Sequence, residues 1–565
     1  MTNIDTETTI GLRDPNTFMT LARLGSLHQC RLSFMRTLLR RMKRENWTFV
    51  QTEFDIDANG VGHAVYTATT PTRSYSLVAF AHDLPPEQRS DRVIATAWDA
   101  TFTLFDGIPT SDDIERLRKN VPFQEAGRVT ENELSVSRAN RSVRLWEYVL
   151  DCLASGNQPD AQKVHDVGYL MRTTAVYGSG KLGAADREKT ADRPEFQGPF
   201  QIEMLSVFLT RAFVMDLIEH IARLRSPETA VPIDPSLRHS FGIGNSTGLG
   251  MAPYLLNHPA LINNWVTARE TALARVRNVN AASSTEVAGF RHFLKRAVIN
   301  AENWHSAHPL QIEKLAVFRT DMAALAAYAD VQPFDGERPW DAAWLWAEAN
   351  LGLDAQEQLV SLLIEPYGAL VDDLTATMAA NEGDSFVIDG SMSASKLRTI
   401  VEDVYKWAVD TDWQETHAHA RVWYVSEEKL EPRLGEHTEE DVANYEQPLS
   451  PGRDAARLYA DLKAEPDQPI ADFLRRFPQH RHVVRRAQIA ARLPYAEVRD
   501  NTISADMMPI DLLRAKLSFF GAVHFDPRSD RWVRINMFLN APFPNELADG
   551  EADDWTYPLL PEAAQ

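Results

Sequence analysis

The sequence predicts an α+β protein that is predominantly helical, with an antiparallel β meander near the N-terminus, a large central helical region and a mixed α/β C-terminal region. Three observations predict this class. Residues 47–106 contain β-rich, alternating stretches interrupted by turn residues. From residue 141 to about 410, apolar residues recur at helical spacing. After residue 411, strand-like and helix-like stretches alternate.

The length and composition are those of an ordinary multidomain globular protein. The chain has 565 residues, of which 44% are hydrophobic and 24% are charged. A chain of this length exceeds what a single hydrophobic core supports. We therefore expect an N-terminal helix with the antiparallel sheet over 1–125, a central helical domain with two glycine-rich loops over 126–410, a mixed C-terminal domain over 411–540, and an extended tail over 541–565.

The charge and the cysteine content restrict the partners and the compartment. The net charge of −21 repels nucleic acid and anionic membranes, so neither is an expected partner. Two cysteines, Cys30 and Cys152, are too few for a disulfide-rich secreted fold, and the polar N-terminus lacks a signal-peptide pattern. We therefore expect a soluble, cytoplasmic protein.

The N-terminal elements follow from two periodicities. Apolar residues at helical spacing predict a helix over 16–44. Three β-rich stretches then begin at Trp47, Gly62 and Ser74, and a fourth covers about 93–105. The first two are separated by Asp57-Ala-Asn-Gly60, which is a strong hairpin signal. Together these stretches predict an antiparallel meander of about four strands.

The rest of the chain is predicted as helices with a few strands. The central helices are expected over 141–154, 162–176, 199–225, 251–278, 284–300, 309–329, 340–350, 354–380 and 393–409. In the C-terminal region we expect a strand over 419–425, a turn-rich acidic segment over 427–452, helices near 453–463, 469–476 and 482–492, and a hairpin over 521–538. The helix 199–225 is apolar nearly all round, so its charged residues Glu203 and Arg211 each need a partner inside the protein.

The most informative segment is the glycine-rich stretch 241–251. Four of its residues are glycines, although the whole chain has only 26. Backbone N–H groups freed by glycine suit an anion cradle, to which Asn245, Ser246 and Thr247 add polar side chains. The residues Gly244-Asn-Ser246-Thr-Gly248 also match the G-x-S-x-G pattern of serine hydrolases. A connector between packed helices is the third interpretation, and the sequence leaves the three open.

A second glycine cluster, 172–183, offers comparable chemistry. It departs from the Walker phosphate-loop pattern, because Ala175 and Leu182 occupy two of the required positions. It nevertheless presents four residues that suit a carboxylate or phosphate: Arg172, Thr173, Tyr177 and Lys181. A surface loop without a ligand is the alternative.

No metal or cofactor is assigned from the sequence. Glu415, His417 and His419 alternate, so a strand would place all three on one face. A fourth ligand is not evident there, and metal binding at these residues stays open. The cofactor is unknown, and no dinucleotide-binding glycine pattern follows a strand.

The leading hypothesis is a cytoplasmic enzyme that acts on a small anionic metabolite bearing a carboxylate or phosphate. Its site is formed by the glycine-rich loops 172–183 and 241–251. The expected catalytic residues are His239, as general base, Ser246 and Tyr177. The expected substrate-binding residues are Arg172, Thr173, Lys181, Arg238, Gly244, Asn245, Thr247 and Gly248.

Two alternatives come from other classes of protein. A non-enzymatic helical scaffold accounts for 13 tryptophans and an acidic surface as well as an enzyme does. A serine hydrolase would use Ser246 as nucleophile. Whether the chain forms a homo-oligomer is left open.

Overall fold

A computed structural model describes the secondary structure of residues 10–85, 87, 97–120, 130–173, 190, 192–248, 259–306, 308–379, 388–414, 424–426, 431–433, 447–448, 451–499, 513–521 and 532–548. Over these residues the expected class is confirmed, because helices predominate and accompany one large, mostly antiparallel sheet. None of the described helices is long and apolar enough to span a bilayer.

The strands form two sheets. Their bounds are β1 Thr48–Ile56, β2 Gly62–Thr69, β3 Ser74–Ala81, β4 Ala100–Asp106, β5 Glu133–Arg141, β6 Tyr169–Thr173, β7 Gly242–Gly248, β8 Tyr424–Ser426, β9 Glu431–Arg433, β10 Gln447–Pro448 and β11 Trp532–Met537. The large sheet has the order β1-β2-β3-β4-β5-β6-β7-β11, and the small one has the order β10-β8-β9.

The helices make up most of the described chain. Their bounds are α1 Pro15–Phe18, α2 Leu21–Leu24, α3 Phe34–Arg44, α4 Ser111–Asn120, α5 Trp146–Ala154, α6 Ala161–Val167, α7 Gln201–Arg225, α8 Pro235–Arg238, α9 Pro259–Arg277, α10 Ser284–Glu302, α11 Pro309–Val331, α12 Pro339–Asn350, α13 Leu353–Ile364, α14 Gly368–Val371, α15 Ala394–Val404, α16 Lys406–Val409, α17 Pro451–Ala464, α18 Ile470–Arg476, α19 Arg481–Arg492 and α20 Leu513–Phe520. Short 3₁₀ turns lie at Pro194–Phe196, Glu365–Tyr367, Asp372–Ala379, Pro478–His480 and Pro544–Glu546.

The chain divides into two compact units. The first, which we call the helical unit, comprises Met1–Leu32, Thr247–Phe519 and Phe525–Val533. The second, which we call the sheet unit, comprises Ser33–Ser246, Phe520–His524 and Arg534–Gln565. The predicted boundary at residue 125 falls inside the sheet unit, because the sheet continues from the expected meander into β5, β6 and β7.

The core of the sheet unit lies on both faces of the large sheet. β1 to β4 form the expected antiparallel meander. On one face, Phe213 of the long helix α7 packs edge-on against Phe102 of β4, with ring centroids 5.6 Å apart. On the other face, Ile114 and Leu117 of α4 cover an apolar cluster that also contains Val65, Val78, Phe80 and Phe105. α7 is buried over almost all of Gln201–Ile218, which explains why its sequence is apolar nearly all round there.

The helical unit contains two packed groups of helices. In one, α10 packs against α11, and α9 packs against α12 and α13. In the other, α15, α17, α18 and α19 bury a separate cluster that includes Leu397, Leu458 and Phe473. The predicted helices near 453–463, 469–476 and 482–492 correspond closely to α17, α18 and α19.

The expected continuous helix 16–44 is wrong, since the structure has the three pieces α1, α2 and α3. Charged side chains hold the first part of this segment in place within the helical unit. Arg13 and Arg23 bind Glu357, and Arg31 binds Asp372 with its Nε 2.7 Å from Oδ1. These tertiary contacts outweigh the helical spacing of the apolar residues, which is only a weak preference.

The expected helix 162–176 is also wrong beyond Val167. Gly168 ends α6 in the left-handed conformation, with φ 74°, and the chain continues as β6. Gly168 is suited to this C-terminal position because a residue with a Cβ is strained there. The expected helix 354–380 ends early as well, at Ile364, two residues before Pro366.

Residues 541–548, the described part of the expected extended tail, pack into the sheet unit. Ala541, Phe543 and Leu547 are buried. Arg211 of α7 donates hydrogen bonds to the main-chain oxygens of Ala541 at 2.7 Å and Phe241 at 2.6 Å. Main-chain carbonyl groups are thus the partners of Arg211, for which the sequence indicated none. Glu203, the other such residue, is buried too.

Candidate functional site

The first glycine-rich segment begins in β6 and the second contains β7, and these two strands are neighbours in the large sheet. β6 and β7 pair in parallel, with Tyr169 opposite Gly242 and Arg172 opposite Gly244. The long helix α7 lies between them in the chain, as a parallel connection requires. Since parallel strands end at the same edge of a sheet, Thr173 and Gly248, the last residues of β6 and β7, lie toward one edge. Ligands in open sheets commonly bind beyond the carboxyl ends of parallel strands.

A bulge in this pairing places two large side chains beside one glycine. Three residues of β6 span the distance covered by two residues of β7. A Cβ on Gly244 would lie 2.7 Å from Cγ of Arg172 and 2.8 Å from Cγ of Tyr169. The side chains of Arg172 and Tyr169 thus occupy the space that a side chain at position 244 would need, so this position requires glycine.

Gly242 has a comparable packing role on the other side of β7. A Cβ there would lie 2.6 Å from the carbonyl oxygen of Met537 in β11. Only glycine permits this close approach of the two backbones. The glycine concentration in 241–251 is thus explained in part by packing within the sheet.

The predicted binding residues on these strands are buried together. Arg172, Thr173 and Asn245 are each less than 9% exposed. The Nδ2 group of Asn245 donates to the carbonyl oxygen of Thr173 at 3.4 Å. The structure thus brings Arg172, Thr173, Gly244 and Asn245 into one part of the sheet unit.

The expected loop 241–251 is a strand over its described part. Ser246, Thr247 and Gly248 are the last residues of β7. The serine elbow of hydrolases instead places its serine at a sharp turn between strand and helix. A strand does not supply that turn, so the secondary structure at Ser246 differs from that of a hydrolase serine elbow.

Two predicted site residues, Arg238 and His239, lie at the opposite end of β7 from Ser246. Arg238 ends α8, and His239 follows it before the strand begins. The stretch from Gly242 to Ser246 alone spans about 13 Å in a strand. The backbone of His239 is therefore separated from that of Ser246 by most of the length of β7. Instead, Nε2 of His239 lies 2.9 Å from Oε2 of Glu546.

Two further polar residues, Asn140 and Arg138, lie on the strand next to Arg172 and were not predicted from the sequence. Asn140 of β5 is opposite Arg172 in the sheet, and its side-chain oxygen accepts from the backbone N–H of Asp99 at 3.1 Å. Arg138 lies two residues earlier on the same strand, over the ring of Trp98 at 4.0 Å, and burial lowers the pKa of its guanidinium. The signal in the sequence was the run Ser137-Arg-Ala-Asn-Arg141, but its register against β6 is a tertiary property.

Several predicted residues lie outside the described part of the chain. These are Tyr177 and Lys181 of the first glycine cluster and the three residues considered for a metal, Glu415, His417 and His419. Among the residues that the structure describes, no group of three or more histidine, cysteine, aspartate or glutamate side chains is arranged to hold a metal ion.

Comparisons of the chain with protein-family models, curated proteins and solved structures found no match.

Proposed function

We propose that the chain is a cytoplasmic enzyme that acts on a small anionic metabolite, bearing a carboxylate or a phosphate, bound beyond the carboxyl ends of β6 and β7. The observation that carries this proposal is the parallel pairing of the two strands, with Arg172 opposite Gly244. This pairing places the carboxyl ends of both strands at the same edge of the sheet, where backbone N–H groups can face a bound anion.

The charge of the neighbouring side chains supports an anion as the ligand. Arg172 and Arg138 lie on adjacent strands close to this edge. A guanidinium group matches the geometry of a carboxylate or phosphate and remains charged when it is partly buried. Thr173 and Asn245 add polar groups beside them.

The reaction is not assigned. The separation of His239 from Ser246 argues against a mechanism in which the two act on each other directly. A separate experiment tests the serine-hydrolase hypothesis. It expects a fluorophosphonate probe to label the wild type and not Ser246→Ala. The scaffold hypothesis remains the alternative, and it predicts the negative outcome of the following experiment.

A thermal-shift screen tests the proposal. The wild-type protein is heated with inorganic phosphate, phosphate monoesters and small mono-, di- and tricarboxylates. We expect one class of anion to raise the melting temperature, because a ligand that binds only the folded state stabilises it by mass action. Arg172→Gln should remove this rise. Arg225→Gln, which changes an arginine in the last turn of α7, is the matched control and should keep it.

Lys181→Ala gives a second, independent variant in case Arg172→Gln does not fold. A folded Lys181→Ala protein with an unchanged response would remove the first glycine cluster from the site. If no anion stabilises the wild type, or if folded Arg172→Gln responds like the wild type, the proposal is refuted.

A further inference from the structure

A second group of polar side chains lies at the amino end of β7, in the sheet unit. Its centre is Asp216 of α7. The hydroxyl group of Tyr66 donates to Oδ2 of Asp216 at 2.7 Å, and Nε2 of Gln51 donates to the same oxygen at 3.1 Å. The other carboxylate oxygen, Oδ1, lies 3.6 Å from Nη2 of Arg238. That distance is that of an ion pair and is too long for a hydrogen bond.

The hydrogen-bonding capacity of Arg238 is therefore unused by the described residues. Its guanidinium lies against the ring of Phe543, 4.5 Å from the centroid. Its Nε is buried and has no hydrogen-bond acceptor within the described part of the chain. The side chain is 26% exposed, so a ligand can reach it from solvent. Contact with an aromatic ring fixes the plane of a guanidinium without occupying its N–H groups.

The carboxylate of Asp216 also has hydrogen-bonding capacity that the described residues do not use. Both hydrogen bonds described above go to Oδ2. Oδ1 faces Arg238, and none of the described residues places a donor within hydrogen-bond distance of it. Its side chain is 33% exposed. Burial raises the pKa of the Asp216 carboxyl group, while the hydrogen bond from Tyr66 and the charge of Arg238 act in the opposite direction.

The surroundings are electrically balanced. The Arg211 guanidinium also lies over the Phe543 ring, 3.8 Å from its centroid, and interacts with the charge of Glu546. On α7, Glu219 lies about one turn beyond Asp216 and Arg223 about two turns beyond it. Burial also raises the pKa of Glu219, and its Oε1 accepts from the backbone N–H of Ile233 at 3.2 Å. A site with a guanidinium and a carboxylate side by side favours neither a simple anion nor a simple cation.

We propose that Arg238 and Asp216 form a binding site for a zwitterion, specifically a free α-amino acid. The carboxylate of the ligand binds the unused N–H groups of Arg238, and its ammonium group binds Oδ1 of Asp216. Tyr66 and Gln51 hold Asp216 in position through Oδ2. The two charged groups of an α-amino acid are bonded to the same carbon, which suits two protein charges whose closest atoms are 3.6 Å apart.

The site is separate from the one proposed for the anionic metabolite. Arg238 precedes β7, and the group formed by Arg172 and Asn245 lies toward the end of that strand. Substitutions in one site therefore test it without altering a side chain of the other.

Calorimetric titration with the full chain tests this proposal. The probes are the proteinogenic L-amino acids, each titrated into the wild type. We expect at least one to bind. For the tightest, the des-amino acid and the α-amide, which each lack one of the two charges, should bind at least about tenfold more weakly, because a lost charge-assisted hydrogen bond has roughly that effect. These comparisons use the wild-type protein and do not depend on a variant that folds.

The variants Arg238→Gln and Asp216→Asn should each weaken binding at least about tenfold as well. Arg225→Gln, on the same helix but paired with Glu147 and Asp151, is the matched control and should bind like the wild type. The proposal is overturned if no amino acid binds, if removing either ligand charge has no effect, or if both folded variants bind with unchanged affinity. In each case, Arg238 and Asp216 form an ion pair with a structural role only.

Discussion

The side chain of Arg172 on β6 lies across Gly244 on β7, so that a Cβ at position 244 would be 2.7 Å from the arginine Cγ. The two residues come from segments separated by the whole of α7. Both were predicted as binding residues, and the structure gives their proximity a packing reason. A side chain at position 244 would displace the arginine proposed to bind the anion.

Gly244→Ala is therefore expected to destabilise the sheet unit by about 1–3 kcal/mol, the usual effect of forcing an extra methyl group into a packed site. Urea unfolding monitored by tryptophan fluorescence measures the change. Gly336→Ala is the control, since a Cβ at Gly336 would meet no atom within 4 Å. Equal stability of the two variants would contradict the close packing of Arg172 on Gly244.

Arg211→Met should destabilise the protein by about 3 kcal/mol or more, because buried carbonyl groups lose their donors. The Arg211 guanidinium donates to the oxygens of Phe241 and Ala541, and it lies 3.8 Å from the ring centroid of Phe543. Burial lowers its pKa to about 9, so it is still protonated at neutral pH. The free energy of unfolding, compared with that of Arg225→Met on the same helix, measures the loss. A difference below about 1 kcal/mol would show that these hydrogen bonds contribute little.

Glu357→Gln should cost about 3–5 kcal/mol, because it leaves buried guanidinium groups without their carboxylate. Glu357 is within 2.7 Å of nitrogen atoms of Arg13, Arg23 and Arg269, and its side chain is fully buried. Chemical denaturation measures the effect, with Glu348→Gln, an exposed position on α12, as the control. Identical unfolding of both variants would argue against a stabilising role for the network.

The stability of the helical unit should fall as the pH is lowered from about 6.5 to about 4, because of His28. Burial lowers the pKa of this imidazole to about 4, and Arg514 adds to the effect, while Asp354 opposes it. Since the folded state then binds fewer protons than the unfolded state, acid favours unfolding, by up to about 3 kcal/mol in total. Above pH 6.5 both states hold a neutral imidazole, and this contribution does not vary.

Urea unfolding at pH 7 and pH 5 measures this dependence. The His28 ring also packs against the rings of Trp304 and Phe318, so His28→Gln lowers stability at both pH values but should reduce the difference between them. His305→Gln, at an exposed position, should leave the difference unchanged. A wild-type protein that is equally stable at pH 5 and pH 7 is the result that would contradict the prediction.

The sequence predicted those parts of the fold that depend on local periodicity. The antiparallel strands β1 to β4 and the long helix α7 were expected close to their observed bounds, because alternation and an apolar helical surface are local patterns. Glycine-rich segments were harder to interpret. The segment containing Gly242 and Gly244 lacks the apolar side chains that mark a strand, and it forms one because neighbouring strands fill the space above its glycines.

For the candidate site residues too, the sequence indicated some properties and the tertiary structure decided others. Their chemical types were evident from the sequence, since arginine, asparagine and glycine suit an anion. Their grouping was not, because the register of β5, β6 and β7 joins segments that are far apart in the chain. That register placed Arg172 beside Asn140 and Gly244, and it placed Arg238 at the far end of the strand.

The sequence by itself determined the α+β class, the predominance of helices and the positions of most of them, because each depends on the spacing of apolar residues within one segment. Only the tertiary structure decided that Gly242–Gly248 is a strand, that Arg211 binds main-chain carbonyl groups, and that Asp216 faces Arg238 and Tyr66. The physical reason is that these arrangements are set by packing and hydrogen bonding between distant segments, for which a single segment carries no pattern.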